Sequence, residues 1–176
     1  MTEQRPQTQG LRIKVVDPDH DYLGIDIQAA NNRFAGTARI YAGLSELSEF
    51  ADLIRGFPAN IYDERTYEFG SPDPSIAGGY CQLRFQCVDH AGHVVIAIVV
   101  EGEDHWYPPG NAELSFGVEA AEIDRFVGRL REVEQQRSGE ALLTATEEST
   151  KWSWWRTSRP SRGEQMDGKG QTKPRT

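Results

Sequence analysis

Residues 80–100 constrain this chain more than any other stretch. Cys81, Leu83, Phe85 and Cys87 alternate with Tyr80, Gln82, Arg84 and Gln86, so an extended segment has one apolar face and one wet face. Asp89-His90-Ala91-Gly92 then fits a tight turn, with Asp favoured at its first position and Gly at its fourth. The returning arm, Val94 to Val100, is apolar on both faces. Such a strand belongs in the centre of its sheet. At seven residues it is far shorter than the roughly 20 that a membrane-spanning helix needs, and no longer apolar run exists.

The rest of the body repeats the strand period. Leu11, Ile13 and Val15 alternate with Arg12 and Lys14; Leu23, Ile25 and Ile27 come next, then Phe34, Gly36, Ala38 and Ile40. Ser45 is placed to cap a helix that buries Leu47, Phe50, Ala51 and Ile54, with Gly56 as its stop and Pro58 barring continuation. Residues 64–69 read as a short strand and 101–111 as a loop. A strand with Leu114, Phe116 and Val118 inward comes next, then a helix over about 120–137 that buries Ile123, Phe126, Val127, Leu130 and Val133. At an offset of 76 residues, Ala38, Ile40, Ala42, Leu47, Phe50, Ala51 and Ile54 align with Leu114, Phe116, Val118, Ile123, Phe126, Val127 and Leu130. Shared periodicity accounts for such a match as readily as duplication does. The expected fold is α+β: a single twisted, largely antiparallel sheet of six or seven strands with two helices on one face. A β-β-β-α / β-β-β-β-α repeat would run through it.

Charge marks where the domain is expected to stop. Residues 150–176 hold seven basic side chains and two acidic ones, a net of +5, so residues 1–149 carry −13 of the total of −8. That tail has three of the four tryptophans, Trp152, Trp154 and Trp155, yet keeps neither a helical nor a strand period. Beyond Ser158 its composition cannot bury enough surface to offset ordering entropy. The expected division is a polar segment 1–10, one domain over 11–138 and a flexible basic extension over 139–176. Met1 to Gly10 shows no apolar segment of the kind a secretory signal carries. Cys81 and Cys87, six residues apart on one strand, would sit about 20 Å apart, too far to bridge within one molecule. They read as two buried thiols of a reduced, cytoplasmic protein.

The search for chemistry yields little. No Gly-x-Ser-x-Gly elbow, phosphate loop or dinucleotide fingerprint is present. Asp89, His90 and His93 could form a metal set, but turn polarity explains the same residues. Asp17, Asp19 and Asp21 are spaced like the start of a calcium loop that is not continued. Neither a cofactor nor a metal is expected. Glu101, Glu103 and Asp104, with His105, Trp106 and Tyr107 directly after them, suit an acid/base site, a binding loop or a solvated connection. Large aromatics in an acidic loop are typical of interfaces, so the partner-binding residues expected are Glu101, Glu103, Asp104, Trp106 and Tyr107. Arg39, Tyr41, Tyr80, Gln82 and Arg84 form a rival face suited to a homodimer. Nucleic acid would have to use the tail, where Lys151-Trp152-Ser153-Trp154-Trp155-Arg156 could stack bases, and the acidic body opposes it. The tail reads first as an extension without function, and next as a contact for the acidic body or a partner.

An acidic domain without an active-site signature suits a protein that binds something basic. Three stretches sharpen that reading. These are Ala38-Arg39-Ile40-Tyr41 continuing through Leu44–Ala51 to Leu53-Ile54-Arg55-Gly56-Phe57-Pro58, then Leu83 to His93, and Ile123-Asp124-Arg125-Phe126-Val127. Over about residues 11–137 the chain resembles small bacterial proteins grouped with WapI-type immunity proteins. The resemblance implies a non-enzymatic, cytoplasmic antitoxin that blocks the toxin domain of a secreted protein. It brings no catalytic residues with it, and the tail lies outside it.

Overall fold

The computed structural model describes residues 9–104 and 107–146. Its elements in chain order are β1 (Gly10–Pro18), β2 (Leu23–Ala30), β3 (Ala35–Ala42), α1 (Glu46–Ile54), β4 (Glu64–Gly70), β5 (Tyr80–Cys87), β6 (Val94–Asp104), β7 (Tyr107–Val118), α2 (Ala120–Gln136) and β8 (Glu140–Thr144). The fold is α+β, with two helices and eight strands in two four-stranded antiparallel sheets, not one. The first sheet has the order β3-β2-β1-β8, the second β4-β5-β6-β7. Each half of the chain is three strands, a helix and a fourth strand, and the fourth strand of each half joins the other half's sheet. β4 pairs with β5, and β8 pairs with β1. Periodicity identifies strands but not their partners, which is why the single-sheet expectation fails. Among the described residues no helix is long and apolar enough to cross a membrane.

The exchanged strands are held in matching ways. Arg12 faces Leu142 across β1–β8 and reaches diagonally to Glu140 at 2.5 Å. Arg84 faces Thr66 across β5–β4 and reaches diagonally to Glu64 at 2.8 Å. Glu64 and Glu140 are 76 residues apart, the offset at which the sequence repeats faintly. Exposed pairs of this kind contribute about 0–1 kcal/mol each, so they select the register more than they stabilise it.

Strand alternation turns one side of each sheet into a common core. Ile13 faces Ile27 and Ala141, while Leu83 faces Ile98, which in turn faces Leu114; all are buried. The helices bury the faces that their spacing demands: Leu47, Phe50, Ala51 and Ile54 on α1, and Ile123, Phe126, Val127, Leu130 and Val133 on α2. Phe50 stands at the centre, with the rings of Tyr67, Phe69, Phe85 and Phe126 at 5.0, 5.2, 6.1 and 6.2 Å. Ser45 precedes α1 but makes no side-chain cap; its hydroxyl donates to Glu49 instead, and the Glu46 carboxylate accepts the Gly43 N–H.

The end of α1 is tied to β4 by Arg65. Its guanidinium donates to the Leu53 and Arg55 carbonyls at 2.8 and 3.0 Å, binds Asp63 at 2.6 Å and lies 5.1 Å from the Phe57 ring centroid. Arg65→Met is expected to cost about 2–3 kcal/mol, the scale of charge-assisted hydrogen bonds lost from carbonyls without a substitute donor. The Arg65 bond also holds the Asp63 carboxyl below its ordinary pKa. A depressed folded-state value adds stability above the unfolded pKa, and that stability is lost as pH falls through the folded one. Melting temperatures should therefore separate wild type from Arg65→Met most at neutral pH and less below about pH 4.

The chain does not leave the fold at Ser138. α2 ends with Arg137 in the left-handed region, where the Arg137 and Ser138 N–H groups donate to Glu134 and Val133 carbonyls. Gly139 then redirects the backbone into β8, whose Ala141 and Leu143 are buried. Residues 139–146, read from sequence as the start of the extension, are part of the first sheet and its exit. Residues 147–176 lie outside the described residues.

Candidate functional site

Residues 101–111 are not the loop that the sequence suggests. β6 and β7 continue as a paired ribbon, with Glu101 facing Asn111, Gly102 facing Gly110 and Asp104 facing Tyr107. The register slips between Gly102 and Asp104, and such an irregularity bends and twists a ribbon. Pro108 and Pro109 fit because β7 is an edge strand. Of the expected binding residues, Glu101 is half-buried on the outer side of β6. Glu103 and Asp104 fall on β6 and Tyr107 on β7, at the far end of the ribbon. Trp106 lies outside the described residues.

An open cleft of about 570 Å³ lies beside this ribbon. Glu101, Gly102, Gly110 and Asn111 form one wall; Ser71, Pro72, Asp73, Pro74, Gly78, Gly79 and Tyr80 form the other. The 71–79 loop is shaped by Asp73, whose carboxylate accepts the Ser75 N–H and hydroxyl at 2.9 and 2.7 Å. Those bonds lower the Asp73 pKa, so it is charged at neutral pH. The floor is backbone. Gly79 donates its N–H to the Arg39 carbonyl at 2.7 Å, and a Cβ there would meet the Glu101 carbonyl at 2.5 Å and the Ala38 Cβ at 2.9 Å. Any side chain at this position would push β3 away from the second sheet.

Tyr80 stands opposite Glu101. Burial, reinforced by a bond to Glu68, pushes its hydroxyl up to about 12, so it serves as a neutral hydrogen-bonding group. Gln82 reaches Glu68 at 2.8 Å and the Tyr80 oxygen at 3.3 Å. The cleft thus offers carboxylates, a phenol and glycine backbone. That set can hold a cationic or amide-bearing group. Cys81, next in sequence to Tyr80, points into the core, and burial pushes its thiol up to about 12. Both cysteines are free thiols; Cys81 is buried as expected, whereas Cys87, at the end of β5 beside the turn, is only half-buried.

The other candidates separate. Asp89 accepts the Ala91 N–H at 2.9 Å and pairs with His93 Nδ1 at 2.5 Å, while His90 is exposed in the turn. Among the described residues no three metal-ligating side chains gather. The rival face is divided between sheets. Arg39 and Tyr41 are on the first, Arg39 paired with Asp26 and Tyr41 against the Tyr22 ring, whereas Tyr80, Gln82 and Arg84 are on the second. Sequence reasoning missed the loop wall, although Ser71-Pro72-Asp73-Pro74 and Gly78-Gly79 mark a rigid turn and a close approach. No family model matches the chain, and neither does any curated protein or solved structure.

Proposed function

We propose that this chain is a non-enzymatic bacterial binding protein, an immunity protein acting in the cytoplasm, which blocks a basic toxin domain by covering its active surface. The observation that carries the reading is the joining of Glu101, at the base of the acidic ribbon, with Asp73 and the neutral Tyr80 in one open cleft. Glu103, Asp104, Trp106 and Tyr107 extend the same contact. Carboxylates in this setting attract a cationic surface and orient it before contact. The resemblance over residues 11–137 names the kind of partner.

The test is capture from the lysate of the native host, with the full chain beside the Glu101→Lys/Glu103→Lys/Asp104→Lys variant. The wild-type chain is expected to retain one basic protein, released as salt rises, and the variant to lose it. Charge reversal should slow association by about 10-fold or more at low salt, in line with electrostatic steering. Equal recovery on both, or recovery only of the chain itself, would contradict the proposal.

A further inference from the structure

The outer face of the second sheet, turned away from both helices, carries an apolar stripe inside polar rows. Its rows run across the strands as Glu68-Gln82-Val99-Glu113, Thr66-Arg84-Ala97-Ser115 and Glu64-Gln86-Val95-Gly117. The centre is therefore a stripe of Val95, Ala97 and Val99, with Val95 buried and the other two half-buried. Carboxylates surround it: Glu64, Glu68, Glu113 and, one row further, Glu101; among the described residues of these rows Arg84 is the cation.

The described chain ends at the rim of this face. The Thr146 N–H donates to the Gly117 carbonyl at 2.8 Å, at the open edge of β7 and in the row of Val95. The sequence beyond Thr146 has the complementary chemistry, since Lys151-Trp152-Ser153-Trp154-Trp155-Arg156 sets three large rings between two cations. It also has the reach. Trp152 is six residues beyond Thr146, an interval of up to about 20 Å, whereas the stripe ends only four residues along β7 from Gly117, at the Glu113 row. We propose that residues 151–156 lie on the outer face of the second sheet, their tryptophans over Val95, Ala97 and Val99 and their cations toward Glu113 and Glu101. The tail is then the outer layer of this sheet. The inference stands apart from the immunity reading, because the occupant is the chain itself.

Fluorescence tests it in the full chain carrying Trp106→Phe, where emission comes from Trp152, Trp154 and Trp155. Emission is expected to be blue-shifted, and acrylamide quenching several-fold weaker than in a peptide of residues 147–176, at every protein concentration. Val99→Glu should restore peptide-like quenching while circular dichroism stays native. Lys151→Glu with Arg156→Glu, which leaves the body untouched, should do so in large part, and trypsin should then cut the tail several-fold faster at its remaining basic residues. Peptide-like emission from the folded full chain would overturn the proposal, and so would shielding that survives the tail variant. Shielding that fades on dilution would assign the face to a second copy and overturn it equally.

Discussion

A chain that stops at Ser138 is expected to lose cooperative folding, while one that stops at Thr146 keeps it. The eight residues between them hold β8, which pairs with β1 from Gly10–Thr144 to Lys14–Glu140. Leu143 and Ala141 leave the core with it, and Leu11 and Ile13 lose a neighbouring strand. Burying one leucine side chain contributes about 1.5–3 kcal/mol, and the newly opened edge adds to that loss. The sum is a large part of the roughly 5–15 kcal/mol that holds an ordinary domain together. Urea titrations monitored by circular dichroism decide the matter. Matching midpoints for the two truncations would show that β8 is an ornament on the sheet instead of the strand that completes it.

Phe50→Ala should be the most damaging single truncation in the core, at about 3–5 kcal/mol. Four rings lie within 6.2 Å of its own, from α2, β4 and β5, so the hole cannot be closed by moving one neighbour. Leu53, three residues on, projects outward and is 36% exposed. Leu53→Ala should change stability by no more than about 0.5 kcal/mol. A Phe50→Ala loss as small as that of Leu53→Ala would mean that the aromatic cluster is not the centre of the core.

The contrast between Phe50 and Leu53 is legible in the sequence, because helical spacing alone assigns the first inward and the second outward. So are the alternation of Cys81, Leu83, Phe85 and Cys87 and the Asp89–Gly92 turn, where the Gly92 N–H does donate to the Asp89 carbonyl at 3.2 Å. These features depend on residues close in sequence. The exchange of β4 and β8 does not, since Glu64 gives no hint that it will pair across to Arg84 rather than toward β3. β8 is hidden for a simpler reason: only Ala141 and Leu143 face inward, and the exposed Leu142 between them erases the alternation, just after Ser138 and Gly139. Gly102, Pro108, Pro109 and Gly110 disguise the ribbon as a loop, because Gly and Pro mark strand ends more often than edge strands. Only the acidic wall of the cleft is legible. Its opposite wall arrives through the packing of β3 against Gly79, a contact between backbones that side-chain chemistry does not announce.

The most direct test of the central claim is a growth assay with the basic domain captured on the full chain. Expressed alone in bacteria, that domain should arrest growth. Co-expression of this chain should restore it, and co-expression of the Glu101→Lys/Glu103→Lys/Asp104→Lys variant should not. A domain that is harmless alone, or an arrest that persists in the presence of the wild-type chain, would contradict the immunity reading.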